Sequence, residues 1–312
     1  MEPYQLILLI PEPSMRRTPA FERARALAKT SGAALHIGVF VHSASIDLAR
    51  LFNSAGASLA REAQLESHRH WLQVEAEALR SEGLTVTTDV AWTSHPAQQA
   101  LELIARLRPG LVVKDADPEP MLAGRATVDE NLLRRDQPPV LLVRGDAVAP
   151  RRRIAAVVEH ASGEPAAFDN LVMSTAAELA AASGAELHLI HGGANGDYAV
   201  DTFAGSHGVA QAHCHGLPDA AAAAIAEFAT RIGVDLLVVG VTEPPEARRP
   251  WHRGTAERIN VYASCDVLSL KQHQSPVTRP QAAGGTRVSL PAAPPSVMSR
   301  GAPRGAGPGL RA

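Results

Sequence analysis

The chain has 312 residues, of which 46% are hydrophobic and 20% charged, and its formal net charge is −2. This is the balance of a soluble globular protein. Because the chain has no excess of positive charge, its net electrostatic field does not attract nucleic acid or an anionic membrane, and proteins of that class are excluded. Two cysteines, Cys214 and Cys265, exclude a disulfide framework and favour a reducing compartment.

The opening segment "MEPYQLILLIPEPS" has a short apolar run and no basic region before it, which is typical of a strand and not of a signal peptide. The sequence contains no stretch that approaches the roughly 18 apolar residues of a membrane span. We therefore expect a cytoplasmic protein with no membrane partner. The 4% aromatic content offers few surfaces for stacking bases, so no specific nucleic acid is expected.

The first half of the chain alternates short apolar strands with helical segments. Strands are predicted at 5–10, 34–41, 85–92, 111–114 and 140–144, and helices at 17–31, 46–81, 96–106 and 128–134. Near-continuous apolar strands that alternate with helices predict a doubly wound parallel sheet, an α/β fold covered on both faces. In such sheets a ligand binds beyond the carboxyl ends of the strands, where the strand order reverses.

The second half repeats the first. Three blocks recur in the same order: 27–37 as 179–189, 109–120 as 234–245, and 130–144 as 257–271. This predicts two copies of one module, which we call repeat 1 (1–147) and repeat 2 (151–272), joined near "GDAVAPRRR". The remaining segment, 273–312, is rich in Pro, Gly, Ala and Arg with no acidic residue, and it predicts a disordered basic tail.

Repeat 2 is shorter than repeat 1 after "ELHLIH". The stretch "GGANGDYAVDTFAGSHG" (192–208) is too short and too rich in glycine to replace the long helix of repeat 1. We therefore expect one face of the second sheet to lack its own helix. That face would be covered by repeat 1 or by a partner subunit.

Four segments carry a family resemblance: "TSHPAQQALELIAR" (93–106), "RPGLVVKDAD" (108–117), "GVDLLVVG" (233–240) and "GTAERINVYASCDVLSLK" (254–271). Through them the chain resembles the universal stress protein family, and in particular its tandem, E-type members, over roughly residues 3–271. The resemblance implies two tandem UspA-type domains of the flavodoxin or adenine-nucleotide-hydrolase kind, the second shortened by one helix. It also implies a role in the stress response and a dimeric assembly.

ATP-binding members of that family have Gly, two residues, Gly, nine residues, then Gly followed by Ser or Thr. Counted from Gly240, the later glycine positions hold Glu243 and Arg253, and Gly254 falls where the hydroxyl belongs. A slip of one residue restores Gly254 followed by Thr255. A carboxylate such as Glu243 repels a triphosphate unless a metal intervenes, so the motif is degenerate.

Relatives that bind ATP also end their first strand in an aspartate beside the adenine, and the corresponding positions here are Pro11 and Glu159. Lys114 is aligned with Gly240, so repeat 1 is not expected to bind nucleotide in the family's manner. Repeat 2 keeps a candidate nucleotide site made of Glu159, Gly240, Arg253, Gly254 and Thr255. The alternative is that Gly240 only ends a strand and Thr255 only caps a helix.

Repeat 2 also concentrates histidines, in "HLIH" (188–191) and "HCH" (213–215). His191, His213 and His215 are predicted to converge from two neighbouring strands and to bind Zn²⁺ or another borderline metal. The spacing matches no standard zinc motif. His188 is interpreted as structural because it matches His36 of repeat 1.

The chain has no G-x-S-x-G, C-x-x-C or P-loop motif, and no catalytic residue is assigned. The favoured function is a non-enzymatic tandem stress protein without a cofactor, acting through an unknown small ligand or protein partner. The first alternative is ATP or AMP binding by repeat 2, with weak ATP hydrolysis left open. The second alternative is metal binding through the histidines.

Overall fold

The computed structural model describes residues 4–117, 127–134, 138–144, 151–158, 167–192, 198–218, 221–241 and 255–271. These residues lie in one compact unit. The predicted tail (273–312), residues 145–150 of the predicted linker and three predicted nucleotide-site residues, Glu159, Arg253 and Gly254, lie outside the described residues. The last linker residues, 151–153, are described, and Arg153 begins a strand. None of the described helices is long and apolar enough to cross a membrane.

Repeat 1 contains five strands and five helices among its described residues. The strands are β1 (Leu6–Ile10), β2 (Ala34–Val41), β3 (Val86–Trp92), β4 (Leu111–Asp115) and β5 (Val140–Val143). The helices are α1 (Pro19–Ser31), α2 (Ala44–Ala49), α3 (Ser54–Ser81), α4 (Pro96–Leu107) and α5 (Val128–Arg134). One continuous helix over 46–81 was wrong, because Asn53 caps a new helix by accepting a hydrogen bond from the Gly56 amide.

Repeat 2 follows the same order on a smaller scale. Its strands are β6 (Arg153–Val158), β7 (Glu186–Gly192), β8 (Cys214–Leu217), β9 (Leu236–Val241) and β10 (Asp266–Lys271). Its helices are α6 (Ala167–Ser183), α7 (Tyr198–Ser206), α8 (Ala222–Arg231) and α9 (Thr255–Tyr262). A short 3₁₀ turn, Gln211–His213, leads into β8.

Helix α7 corrects the expectation that 192–208 leaves one sheet face without a helix of its own. It has 9 residues where α3 has 28, yet Val200, Phe203 and Ala204 are buried. They belong to a hydrophobic core on that face which also contains residues of repeat 1. The same face of repeat 2 is also covered by α6, whose Phe168, Val172 and Met173 are buried in that core.

The ten strands form one sheet in the order β3-β2-β1-β4-β5-β10-β9-β6-β7-β8. All neighbours are parallel except β5 and β10, which pair antiparallel where the repeats meet. This junction is approximately symmetric. The Arg144 guanidinium after β5 donates to the Asn260 carbonyl oxygen at 2.6 Å, and the Lys271 ammonium at the end of β10 donates to the Leu133 carbonyl oxygen.

The sheet register corrects two alignments between the repeats. β1 pairs Ile7 with Leu111, and β6 pairs Ile154 with Leu236. Counting along β4 and β9 from these pairs shows that Asp115, and not Lys114, occupies the position in repeat 1 that Gly240 occupies in repeat 2. The same count along β1 and β6 makes Val158, and not Glu159, the repeat 2 equivalent of Pro11. The match of 109–120 with 234–245 already contains the first result, so aligning Lys114 with Gly240 was wrong on the sequence itself, whereas no matched block fixes the alignment of Glu159.

Candidate functional site

The strand order reverses beside β1 in repeat 1 and beside β6 in repeat 2. β1 lies between β2 and β4, and β6 lies between β7 and β9. The carboxyl ends of these strands are therefore the places where a ligand would bind in each repeat. The side chains at the two ends differ, and each repeat is treated separately.

In repeat 1 the chain's own groups occupy the crevice. Asp115, the last residue of β4, accepts a hydrogen bond from the Ala20 amide at 2.9 Å. Ala20 lies in the first turn of α1, where Thr18 is the N-cap. Free amides in the first turn of a helix attract anions. Here a protein carboxylate already binds one of them.

A buried ionic cluster, Lys114–Asp117–Asp129, lies next to this contact. The Lys114 ammonium donates to Asp117 Oδ1 at 2.6 Å and to the Asp115 carbonyl oxygen at 2.7 Å, and it forms an ion pair with Asp129 Oδ1 at 3.0 Å. Lys114 is 7% exposed and Asp129 is 2% exposed. The backbone amide of Asp117 also donates to Asp129 Oδ2 at 2.8 Å.

Side chains of the same cluster and its neighbours also accept hydrogen bonds from the backbone amides at the start of α5. The Asp129 amide donates to Asp117 Oδ2 at 3.4 Å. Thr127 and Glu130 form a capping box, in which the Glu130 amide donates to Thr127 Oγ1 and the Thr127 amide donates to Glu130 Oε2. A phosphate placed here would meet carboxylates instead of free amides.

The ionisation of the cluster follows from its burial. Burial by itself lowers the pKa of Lys114, but the carboxylates of Asp129 and Asp117 outweigh it, so the net pKa of Lys114 is raised and it stays charged. Burial raises the pKa of Asp129, and repulsion from Asp117 adds to the increase, while Lys114 opposes it. The positive charge of Lys114 therefore stabilises the neighbouring carboxylates of Asp117 and Asp129 against their mutual repulsion.

In repeat 2, Gly240 lies one residue before the end of β9, and packing explains why it is glycine. A Cβ at this position would lie 2.6 Å from Phe168 Cε1 and 3.2 Å from Val172 Cγ2. Both side chains belong to α6. Side chains from the first turns of α6 therefore occupy the space that a side chain at this position of β9 would need. Thr255 begins α9, as the sequence predicts, and the loop between lies outside the described residues.

The histidines of repeat 2 form a cluster that differs from the predicted one. His188 Nδ1 lies 3.1 Å from His215 Nε2, and the His188 ring stacks on that of His213 with 4.2 Å between centroids. His191 lies on the opposite face of β7, because side chains alternate along a strand. Its Nδ1 lies 3.1 Å from the Gly192 carbonyl oxygen. The structure brings His213 and His215 together, but with His188 in place of His191.

The cluster also includes a carboxylate that the sequence interpretation missed. Glu186 Oε2 lies 3.7 Å from His188 Nε2. Ligand atoms of Glu186, His188 and His213 all lie within 4.8 Å of one another. The alternation of β7 could have revealed this, since Glu186 and His188 are two residues apart and face the same way.

Burial lowers the pKa of two histidines in this cluster. For His188, the neighbouring His213 adds to the decrease. For His215, burial with repulsion from His188 and His213 lowers the pKa to about 4. The Cys214 thiol faces away from the cluster, toward the core that contains α7. Burial and the Asp201 carboxylate raise its pKa to about 11.

No family model matches the chain, but comparison with known proteins finds relatives that span most of it. It is 24% identical over 306 residues to the universal stress protein E homolog of Haemophilus influenzae, covering 86% of this chain and 97% of that protein. It is 22% identical over 316 residues to universal stress protein E of Escherichia coli K12, covering 89% and 98%. A solved universal stress protein of Archaeoglobus fulgidus superposes with a TM-score of 0.63 at 15% identity, covering 85% of this chain and 96% of its own.

Proposed function

We propose that the chain, which is similar to universal stress protein E over most of its length, is a tandem, non-enzymatic stress-response protein that acts by binding. In this proposal neither repeat uses ATP in the family's manner. The observation that carries it is the Lys114–Asp117–Asp129 cluster. Its carboxylates lie at the helix start and strand end where a phosphate would need free amides.

Repeat 2 supports the proposal through the packing of Gly240. A glycine that approaches phosphate is expected to have open space where its Cβ would lie. Here that space is filled by Phe168. The packing accounts for the glycine without a nucleotide. The register makes Val158 the repeat 2 equivalent of Pro11, the position that the family resemblance matches with the aspartate of ATP-binding members.

Equilibrium binding of ATP tests this proposal. Isothermal titration of the full chain with ATP and Mg²⁺ is expected to give no saturable heat, and AMP is expected to behave in the same way. Saturable binding that is lost in Arg253→Ala would establish the alternative of a nucleotide site in repeat 2. Binding lost in Lys114→Met, with Arg253→Ala unaffected, would place a nucleotide in repeat 1 and contradict the proposal there.

A nucleotide site in repeat 2 is the second candidate, and one observation favours it. Thr255 begins an eight-residue helix directly after the predicted anion-binding loop. Arg248, Arg249 and Arg253 supply positive charge in the sequence before it. ATP turnover by the wild-type chain, absent from Thr255→Val, would extend this candidate to hydrolysis.

The partner in this proposal is a second copy of the chain. Its support is a set of large apolar side chains on α2, the turn after it and the start of α3 that the chain leaves exposed: Leu48, Leu51, Phe52 and Leu59 are 60%, 76%, 87% and 74% exposed. Native mass spectrometry is expected to show a dimer in the wild type and a monomer in a Leu51→Ser/Phe52→Ser variant. A wild-type monomer at micromolar concentration would refute the dimer.

A further inference from the structure

The edge of repeat 2 brings together three side chains that can bind a metal, two on β7 and one, His213, on the turn that leads into β8. β8 is the last strand of the sheet and β7 pairs with it in parallel. We propose that Glu186, His188 and His213 bind a divalent zinc ion, with His215 as a positioning residue. Their ligand atoms lie within 4.8 Å of one another. The inference does not depend on whether either crevice binds nucleotide.

His188 provides an observation that points to a ligand. Its side chain is 5% exposed, and its Nε2 has no hydrogen-bond partner among the described residues. Buried ring nitrogens are normally paired, because an unpaired one loses its hydration without compensation. The nearest carboxylate oxygen, Glu186 Oε2, is 3.7 Å away, which is beyond hydrogen-bonding distance and slightly longer than the separation of two ligand atoms in a tetrahedral site.

His215 fixes the tautomer that metal binding needs. When His215 is neutral, its Nε2 can accept a hydrogen bond from His188 Nδ1–H across their 3.1 Å separation. The proton is then on Nδ1, and the lone pair of His188 Nε2 is directed at Glu186. Metal-binding histidines usually donate their other ring N–H to such an acceptor. The stack of His213 on His188 brings the third ligand to the same side.

The Glu186 carboxylate also has a cationic neighbour. Arg153 Nε lies 2.9 Å from Glu186 Oε2. Its positive charge opposes the ion, so Glu186 must turn one oxygen away from Arg153 on binding.

Repeat 1 provides an internal comparison. The register aligns His36 with His188, Thr87 with His213 and Asp89 with His215. His36 Nδ1 is bonded to Thr87 Oγ1 at 2.8 Å, and Asp89 is paired with the guanidinium of Arg106. His36 Nε2, like His188 Nε2, has no hydrogen-bond partner among the described residues, and Asp89 Oδ2 lies 3.5 Å from it. The unpaired nitrogen is therefore common to both repeats, and what distinguishes repeat 2 among the described residues is the second imidazole, His213, where repeat 1 has Thr87.

The donor set indicates the class of metal. Two imidazoles and one carboxylate with a position left for water are typical of zinc with three protein ligands. Zinc–ligand bonds of about 2.0–2.1 Å require the ligand atoms to be closer than in the structure described here. Glu186 is the side chain that can move, because it is 53% exposed.

The test is zinc binding to the tag-free full chain after removal of metal with a chelator. Titration with ZnCl₂ against a chromogenic chelator is expected to show one tight site per chain. His215→Phe is expected to weaken that site by about 10–100-fold, as for other residues that orient a ligand. His213→Ala and Glu186→Gln, at partly exposed positions, are expected to weaken it at least as much.

His36→Gln is the matched control for His188→Gln, since the two histidines are equivalent and equally buried at 5% exposure. Zinc affinity is expected to fall in His188→Gln and to stay at the wild-type value in His36→Gln. Cobalt substitution is expected to give the visible absorption of a four-coordinate site, lost in His213→Ala. A wild-type chain that binds no zinc, or a site unchanged in His213→Ala and Glu186→Gln, overturns the proposal.

Discussion

Replacing Lys114 with methionine is expected to destabilise the fold by about 3–5 kcal/mol at neutral pH, the range observed when one partner of a buried ion pair is removed. Methionine keeps most of the apolar stem of lysine, so the loss reports the ammonium group. That group makes two hydrogen bonds and one ion pair, and its removal leaves Asp129, at 2% exposure, beside Asp117 without a cation.

The loss should depend on pH in a defined direction. The folded-state pKa of Asp129 is raised, first by burial, and removing Lys114 raises it further. A group whose pKa is raised on folding favours the folded state when it is protonated. The destabilisation by Lys114→Met is therefore expected to shrink as the pH falls through the folded-state pKa of Asp129. In the wild type, the raised pKa of Lys114 means that its contribution is lost only at alkaline pH.

Urea denaturation followed by circular dichroism measures these changes. Lys114→Met, Asp129→Asn and the double variant form a cycle, and the double variant should be more stable than the sum of the single losses implies by about 1–3 kcal/mol. Lys29→Met is the matched control. Its ammonium is on an exposed side chain 3.6 Å from Glu82, so its loss should stay within about 0.5 kcal/mol. Additive losses, or a Lys114→Met loss below about 1 kcal/mol, would refute the coupled cluster.

Two further predictions concern repeat 2 and the cysteines. Gly240→Ala is expected to lower the free energy of unfolding by about 1–3 kcal/mol, because the new methyl group overpacks against Phe168. Adding Phe168→Leu should recover part of that loss when the single and double variants are compared by thermal or urea unfolding. A Gly240→Ala variant as stable as the wild type would mean that the ring moves aside freely. Cys214 and Cys265, with pKa values raised mainly by burial to about 11 and about 12, are expected to react with iodoacetamide at pH 8 far more slowly in the native chain than in urea. Equal rates in both states would contradict that burial.

The comparison of the repeats shows which parts of the site were accessible to prediction. The duplication and the alternation of strands and helices within each repeat follow from residue patterns. The equivalence of Asp115 with Gly240 also follows from them, because the match of 109–120 with 234–245 contains it, and the sheet register agrees. The sequence does not show that the Asp115 carboxylate binds the Ala20 amide at the start of α1, since that contact joins residues far apart in the chain.

The sequence by itself determined the fold class, the tandem repeat and the concentration of histidines, since these depend on periodicity and composition. The tertiary structure decided which side chains meet. Glu186, His188 and His213 come together because β7 and β8 are adjacent and parallel at a set register, while His191, three residues along β7 from His188, faces the other way. The physical reason is that strand alternation is local, whereas pairing between strands is fixed by the packing of the whole sheet.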